Sequence, residues 1–163
     1  NQAADVVKFR LTPAVHSIEI AREINRAARK ADKKVAVHVK FDTGMGRLGI
    51  WHAEAKAALK KIAGMQNLRV EGIMTHLASS PDKESPQTEL QLMRFDALLK
   101  TAEALGVKPK WIHAANSAAI LNFKKSHYNM ARQNERAYFQ AGHDADEQDY
   151  LHKKPPRGRR RGI

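Results

Sequence analysis

The spacing of apolar residues along this chain switches repeatedly between a period of two and a period of about 3.6, which are typical of strands and of amphipathic helices. The pattern predicts strands over residues 11–16, 35–41, 68–75 and 110–115, and helices over residues 18–31, 53–63 and 85–105. The strand starts near residues 35, 68 and 110 are far enough apart for helical crossovers between parallel neighbours. We therefore predict an α/β domain built of βα units.

Two of the predicted elements have faces of different character. In the strand at 35–41, valines and Phe41 alternate with polar positions that include His38 and Lys40, which predicts one functional strand face. In the helix at 85–105 we expect burial of the residues that recur at helical spacing, which are Leu90, Met93, Ala97, Leu98, Thr101 and Leu105.

The composition excludes several classes of function. The chain has no Cys, so it can form neither a disulfide framework nor a thiolate nucleophile nor a Cys-ligated zinc site. Its eight His include no H-E-x-x-H pattern, and we expect no metal site. No run approaches the ~18 apolar residues of a membrane span, and residues 1–5 lack the features of a secretory signal, so we expect a cytoplasmic protein with no membrane partner.

The positive charge is concentrated near one end of the chain. The net charge is +12, and residues 151–163 contribute six Lys and Arg with no acidic residue. Residues 133–163 show no sustained apolar period, and we expect them to form a divergent, disordered basic tail separate from residues 1–132. A nucleic-acid-binding module acting through this tail is the non-enzymatic alternative, although the tail lacks the interleaved aromatic residues that would favour specific binding.

The strongest local motif is residues 40–49, K-F-D-T-G-M-G-R-L-G, which contains G-x-G-x-x-G directly after a predicted strand. A dinucleotide site is one interpretation, since Glu71 lies near the position of the acid in that fingerprint. Asp42 and Thr43 intervene, however, and Arg47 falls where the fingerprint needs a small residue. In the second interpretation the glycines bend a loop that aims Arg47, beside Lys40, at an anionic ligand. A solvated basic loop is the third.

Later strand ends carry further polar residues. The segments 72–78, 112–119 and 128–132 end predicted strands and supply His76, Asn116, Ser117 and Arg132. Sites in parallel α/β folds form at the carboxyl edge of the sheet, so these side chains are candidates to face the same cavity as Arg47. The plainer alternatives are a histidine that is only hydrogen-bonded and an Asn-Ser pair that only caps a helix.

Three motifs, K-F-D-T-G-M-G-R-L-G, E-G-I-M-T-H-L-A and A-N-S-A-A, together resemble alanine racemase in family order and spacing. The resemblance covers residues 6–132, the middle to late part of that family's N-terminal barrel. It implies an α/β fold, a partial (β/α)8 TIM barrel of about four βα units. It also implies pyridoxal 5'-phosphate (PLP) as cofactor, interconversion of L- and D-alanine for cell-wall synthesis, and a homodimer.

The resemblance also implies roles for individual residues. Arg47 would bond the phenolic oxygen of PLP and help to hold the substrate carboxylate, and Lys40 is where many members carry a carbamate that orients this arginine. His76 matches the histidine beside the pyridine ring. Ser117 matches the serine that contacts the phosphate, and Asn116, which precedes it, is expected to be cofactor-binding as well. Arg132 matches the arginine that donates to the pyridine nitrogen. An arginine there disfavours a fully protonated pyridine and so weakens the ability of PLP to accept electrons from the substrate carbanion.

Departures from the family pattern predict that this chain alone is inactive. Racemisation needs a base on each face of Cα, supplied in the family by the PLP lysine and by a tyrosine of the second domain. The lysine motif, K-A-x-A-Y-G, would lie upstream of Asn1, and we expect no catalytic residue to be retained. After Arg132 the family pattern is lost, which suggests an altered reading frame. Other PLP-barrel proteins, such as aldolases or PLP carriers, are a further alternative.

Overall fold

The computed structural model describes residues 2–132. The basic tail predicted at 133–163 lies outside the described residues. The elements are α1 (Gln2–Lys8), β1 (Ala14–Val15), α2 (Ile18–Lys30), β2 (Val35–Asp42), β3 (Ile50–Trp51), a 3-10 turn (His52–Glu54), α3 (Ala55–Ala63), β4 (Leu68–Met74), α4 (Pro86–Ala104), β5 (Trp111–His113), α5 (Ser117–Asn122) and a second 3-10 turn (Lys124–Ser126).

The strands form one parallel sheet in the order β1-β2-β4-β5, and β3 pairs with the end of β2. Each strand of the main path is followed by a helix, which gives four βα units. This arrangement confirms the predicted partial (β/α)8 barrel. Because neighbouring strands are parallel, the loops that follow β2, β4 and β5 all leave from the same edge of the sheet.

The core lies between the helices and one face of the sheet. Val37, Val39 and Phe41 of β2 are fully buried on that face, as the alternation predicts. On the opposite face, Lys40 is in register with Met74 of β4, and Met74 with His113 of β5. Side chains in register on adjacent parallel strands point to the same side, so this face carries Lys40 and His113 together. It is the face that a complete barrel would enclose.

Local sequence signals explain where the longer helices begin. The Ser17 side chain accepts a hydrogen bond from the Ile20 backbone N–H, and Ser85 accepts one from Gln87, with Pro86 in the first helical position of α4. Within residues 2–132 no helix combines the length and apolarity needed to cross a bilayer.

The structure differs from the prediction in four elements. The helix α1 and the short strand β3 were not predicted, and β1 contains only two residues of the strand expected at 11–16. The strand end predicted at 128–132 is wrong, because this segment is a turn in which Tyr128 has a φ of 43°. The Asn129 side chain donates to the Lys110 carbonyl and accepts from the Ile112 N–H, occupying backbone groups that a neighbouring strand would use.

The buried face of α4 also differs from the prediction. Met93 is 62% exposed and Ala97 is exposed, and only Leu98 of the six expected residues is fully buried. The face that packs inward instead includes Thr88, Gln91 and Phe95. The buried face is therefore rotated about the helix axis relative to the predicted face. Apolar spacing alone does not predict it, because a buried polar side chain, Gln91, lies at the centre of this face.

Candidate functional site

The loop that follows β2 is shaped around the carboxylate of Asp42. One oxygen of that carboxylate, Oδ1, accepts hydrogen bonds from the backbone N–H groups of Gly44 and Met45, both at 2.8 Å, and Oδ2 accepts one from Arg47 at 3.1 Å. Burial alone would raise the pKa of Asp42, but these backbone donors outweigh it and lower the pKa below its ordinary value. Asp42 is therefore an ionised group whose oxygens bind the loop backbone.

The glycines of this loop have structural roles and not those of a dinucleotide fingerprint. Gly49 has a φ of +142°, and a Cβ there would lie 2.7 Å from the Asp42 backbone nitrogen. The chain continues from Gly49 into β3 and not into a helix, so no helix N-terminus follows to receive a pyrophosphate. The dinucleotide interpretation is therefore wrong.

The charges of two arginines, Arg47 and Arg132, act on Lys40 and His76 at this edge of the sheet. Burial lowers the pKa of His76 most, and the positive charges of Lys40, Arg47 and Arg132 lower it further. The pKa of Lys40 is lowered first by burial, then by Arg47 and Arg132, against an opposing effect of Asp42. Lys40 lies near the end of β2, Arg47 and His76 follow β2 and β4, and the Arg132 N–H donates to the Ala115 carbonyl just after β5. The four residues therefore meet at the carboxyl edge of the sheet.

This cluster of four, Lys40, Arg47, His76 and Arg132, has no carboxylate partner of its own in the described part of the chain. The two ion pairs described within residues 2–132, Arg69 with Glu71 and Lys125 with Glu89, involve other residues. Arg47 and Arg132 are exposed, whereas Lys40 and His76 are half-buried. The arrangement can therefore bind an anion next to a neutral imidazole ring.

The other two predicted site residues follow β5 at the same edge. Asn116 caps α5, because its Oδ1 accepts a hydrogen bond from the Ala119 N–H at 3.0 Å and another from the Ser80 hydroxyl at 2.7 Å. Its amide nitrogen donates to the Leu77 carbonyl. Asn116 therefore caps the helix, and its contact with a cofactor stays a prediction. Ser117 is the first residue of α5 and is half-buried.

A pair of histidines on the same sheet face was not predicted as a unit. His38 Nδ1 lies 2.9 Å from His113 Nε2, and the His38 ring occupies the space over Gly72, where a Cβ would come within 2.6 Å of it. Burial, followed by His38 and Arg132, lowers the pKa of His113 to about 4. The alternation that places His38 beside Lys40 was the available signal; nothing in the sequence alone identified His113 as its partner.

Comparison with known proteins agrees with the fold and the motifs. Residues 1–133 match the family model described as alanine racemase, N-terminal domain. An alanine racemase from Symbiobacterium thermophilum is 39% identical over 131 residues, which is 80% of this chain and 35% of that protein. One from Carboxydothermus hydrogenoformans is 36% identical over 124 residues, 76% of this chain and 33% of that protein.

The solved structures lead to the same family. The alanine racemase of Clostridium difficile 630, in complex with cycloserine, superposes with a TM-score of 0.79 at 30% identity over 83% of this chain and 38% of that one. The chain spans about a third of the length of the curated relatives that it matches. From the motifs, the half barrel and these matches, we conclude that the chain belongs to the alanine racemase family, within its N-terminal domain.

Proposed function

We propose that residues 1–132 are a cofactor- and substrate-binding portion of a PLP-dependent alanine racemase. The observation that carries the proposal is the cluster of Lys40, Arg47, His76 and Arg132 at the carboxyl edge of a parallel sheet, with Asp42 committed to the loop backbone. Cations held together in this way favour an anionic ligand between them. The family relationship supports PLP as that ligand.

The donor set fits PLP chemically. Arg47 would donate to the phenolic oxygen and to the substrate carboxylate, and Arg132 to the pyridine nitrogen. Ser117, with Asn116 at the loop before it, would lie toward the phosphate. The lowered pKa of His76 favours a neutral ring that can lie beside the pyridine without adding charge. When bound, PLP supplies an electron sink that makes the Cα proton of an amino acid removable.

Lys40 would help to position Arg47. An amine must be neutral to add carbon dioxide, and the lowered pKa of Lys40 increases its neutral fraction. The resulting carbamate would turn two repelling cations into an ion pair. Lys40 would then orient the Arg47 guanidinium toward its anionic ligand.

The complete reaction would be interconversion of L-alanine and D-alanine in a cytoplasmic homodimer that supplies cell-wall synthesis. This sequence contains no K-A-x-A-Y-G motif, so the PLP lysine is not supplied by these residues. We therefore expect ligand binding without turnover by residues 1–132 alone, because the lysine of that motif, one of the two bases that exchange the Cα proton in the family, is not among them. The nucleic-acid alternative is not favoured.

The experiment is equilibrium dialysis with pyridoxamine 5'-phosphate, which keeps the phosphate, phenol and pyridine of PLP but cannot form Schiff bases with surface lysines. We expect saturable binding that Arg47→Gln weakens at least about tenfold, because one hydrogen bond to a charged group contributes about 1.5–3 kcal/mol. Arg29→Gln, which removes an exposed arginine from α2, is the control and should bind as the unmodified chain does. No saturable binding, or equal loss in both variants, would contradict the proposal.

A further inference from the structure

We propose that Gln91 of α4 is a positioning residue that fixes two loops relative to each other. One is the Arg47 loop, residues 43–49 after β2, and the other is the His76 loop, residues 75–85 after β4. The inference rests on the proposed function, because it concerns how two residues of that site come to act on one ligand. It follows from a buried amide that bonds to both loops.

The Gln91 side chain is fully buried and bonds to both loops. Its Nε2 donates to the Thr43 hydroxyl at 3.2 Å and to the His76 carbonyl at 2.9 Å. Its Oε1 accepts from the Ala78 N–H at 2.8 Å. Both amide protons and the amide oxygen are therefore in use, one bond toward the Arg47 loop and two toward the His76 loop.

The direction of each bond in this network is determined by counting protons. The Thr75 hydroxyl donates to the Phe41 carbonyl at 3.0 Å, so its oxygen accepts from the Thr43 hydroxyl at 2.8 Å. Thr43, having used its proton, must accept from Gln91. Only a side chain with two donors and one acceptor satisfies this position, and neither Glu nor Leu has that combination.

Two more residues of α4 donate hydrogen bonds to the backbone of the Arg47 loop. Arg94 donates to the Thr43 carbonyl and Gln87 to the Gly44 carbonyl, both at 2.9 Å. Gln87, Gln91 and Arg94 lie at helical spacing, so one face of α4 binds the loop while Asp42 binds it from within. Displacing Gln91 would therefore disturb the backbone that leads to Arg47. It would also remove the hydrogen bond to the His76 carbonyl and so disturb the position of His76.

The position of Gln91 is difficult to explain by packing alone. A buried amide costs free energy unless its bonds are made, and an apolar residue of similar size would fill the same space. Thr88, one turn earlier on the same buried face, has a hydroxyl that is unpartnered among the described residues. Thr88 therefore provides a matched control in which a buried polar atom is removed without breaking a link between the loops.

The test compares Gln91→Leu with Leu98→Ala, a truncation of a buried α4 residue that does not bond to the loops, and with Thr88→Val. Amide hydrogen exchange is measured by NMR at Gly44, Met45, Arg47 and Ala78, each variant at the same interval below its own Tm. We expect at least tenfold loss of protection at these amides in Gln91→Leu alone. Equal loss in Leu98→Ala, or no loss in Gln91→Leu, would overturn the inference.

Two further measurements keep the result decisive. If Gln91→Leu does not fold, Thr43→Val removes the Gln91 bond to the Arg47 loop, together with the bond between Thr43 and Thr75, and leaves both Gln91 bonds to the His76 loop. It should expose the amides at Gly44, Met45 and Arg47 while Ala78 stays protected; uniform or absent loss would overturn the inference. Pyridoxamine 5'-phosphate affinity should fall about tenfold in Gln91→Leu and be unchanged in Thr88→Val. If the unmodified chain binds none, the proposed function fails and the exchange data still decide the positioning role.

Discussion

Replacing Asp42 by Asn tests whether one carboxylate organises the Arg47 loop. The carboxylate accepts three backbone N–H groups, and an amide can replace only one of its two oxygens. In Asp42→Asn the amide oxygen can keep the bonds to Gly44 and Met45, but the NH2 group then faces the Arg47 N–H, donor against donor.

The magnitude follows from these bonds. A hydrogen bond to a charged group contributes about 1.5–3 kcal/mol, and neutral ones are roughly half as strong. Losing one such bond and weakening two lowers the free energy of unfolding by roughly 3–6 kcal/mol. Asp82→Asn is the matched control, because Asp82 accepts a single backbone bond from Glu84 in an exposed loop and should cost under about 1 kcal/mol.

The assay is urea unfolding as a function of pH. The pKa of Asp42 is lower in the folded chain than its ordinary 3.8, so the unfolded chain takes up the proton first as the pH falls. Its stabilisation is therefore complete above about pH 4 and is lost as the pH falls through the lower folded pKa. The difference between the unmodified chain and Asp42→Asn should shrink in that window. A difference that is absent at pH 7, or constant down to pH 2, would refute the reasoning.

Three other predictions concern the loop after β2, the sheet and helix α4. Gly49→Ala should cost at least about 2 kcal/mol in urea unfolding, because its Cβ would meet backbone at a φ of +142°, whereas Gly64→Ala, with a φ of −75°, should cost less than half as much; equal costs would contradict this. The ring signals of His113 should show no titration between pH 5 and 8 by NMR, and a midpoint near 6.5 would refute this prediction. Between pH 6.5 and about 4 the His113 imidazole is protonated in the unfolded chain only, so its contribution to the free energy of unfolding should decline as the pH falls through that window. Met93→Lys should change stability by less than about 0.5 kcal/mol, whereas Leu98→Ala should cost about 2–5 kcal/mol; comparable losses would mean that α4 packs by the predicted face.

The elements in which apolar and polar residues recur with a strict period could be predicted from the sequence. Val37 and Val39 mark the buried face of β2 because a strand exposes its two sides in turn, and the glycine after α3 marks where that helix ends. The turn at Tyr128 could not be predicted, because the Asn129 side chain takes the place of strand bonds that only the folded chain reveals.

The site was predicted only in part, for a related reason. Arg47 and His76 could be placed at one edge because parallel strands end together. Arg132 was placed there by a strand end that the structure does not contain, and by the family resemblance. Gln91 was not predicted, since its importance depends on bonds to two loops that are distant in sequence. Its polar side chain on a helix gave no signal that distinguished it from a solvated position.

The most direct measurement of the central claim is the NMR response of the histidine rings to pyridoxamine 5'-phosphate, with the His76 signals assigned by their loss in His76→Asn. If Arg47, His76 and Arg132 surround one anionic pyridine ligand, the His76 ring signals shift in a saturable manner while those of His127, which bonds to the Ile120 carbonyl, stay in place. Unchanged His76 signals, or equal shifts at both rings, would contradict the account.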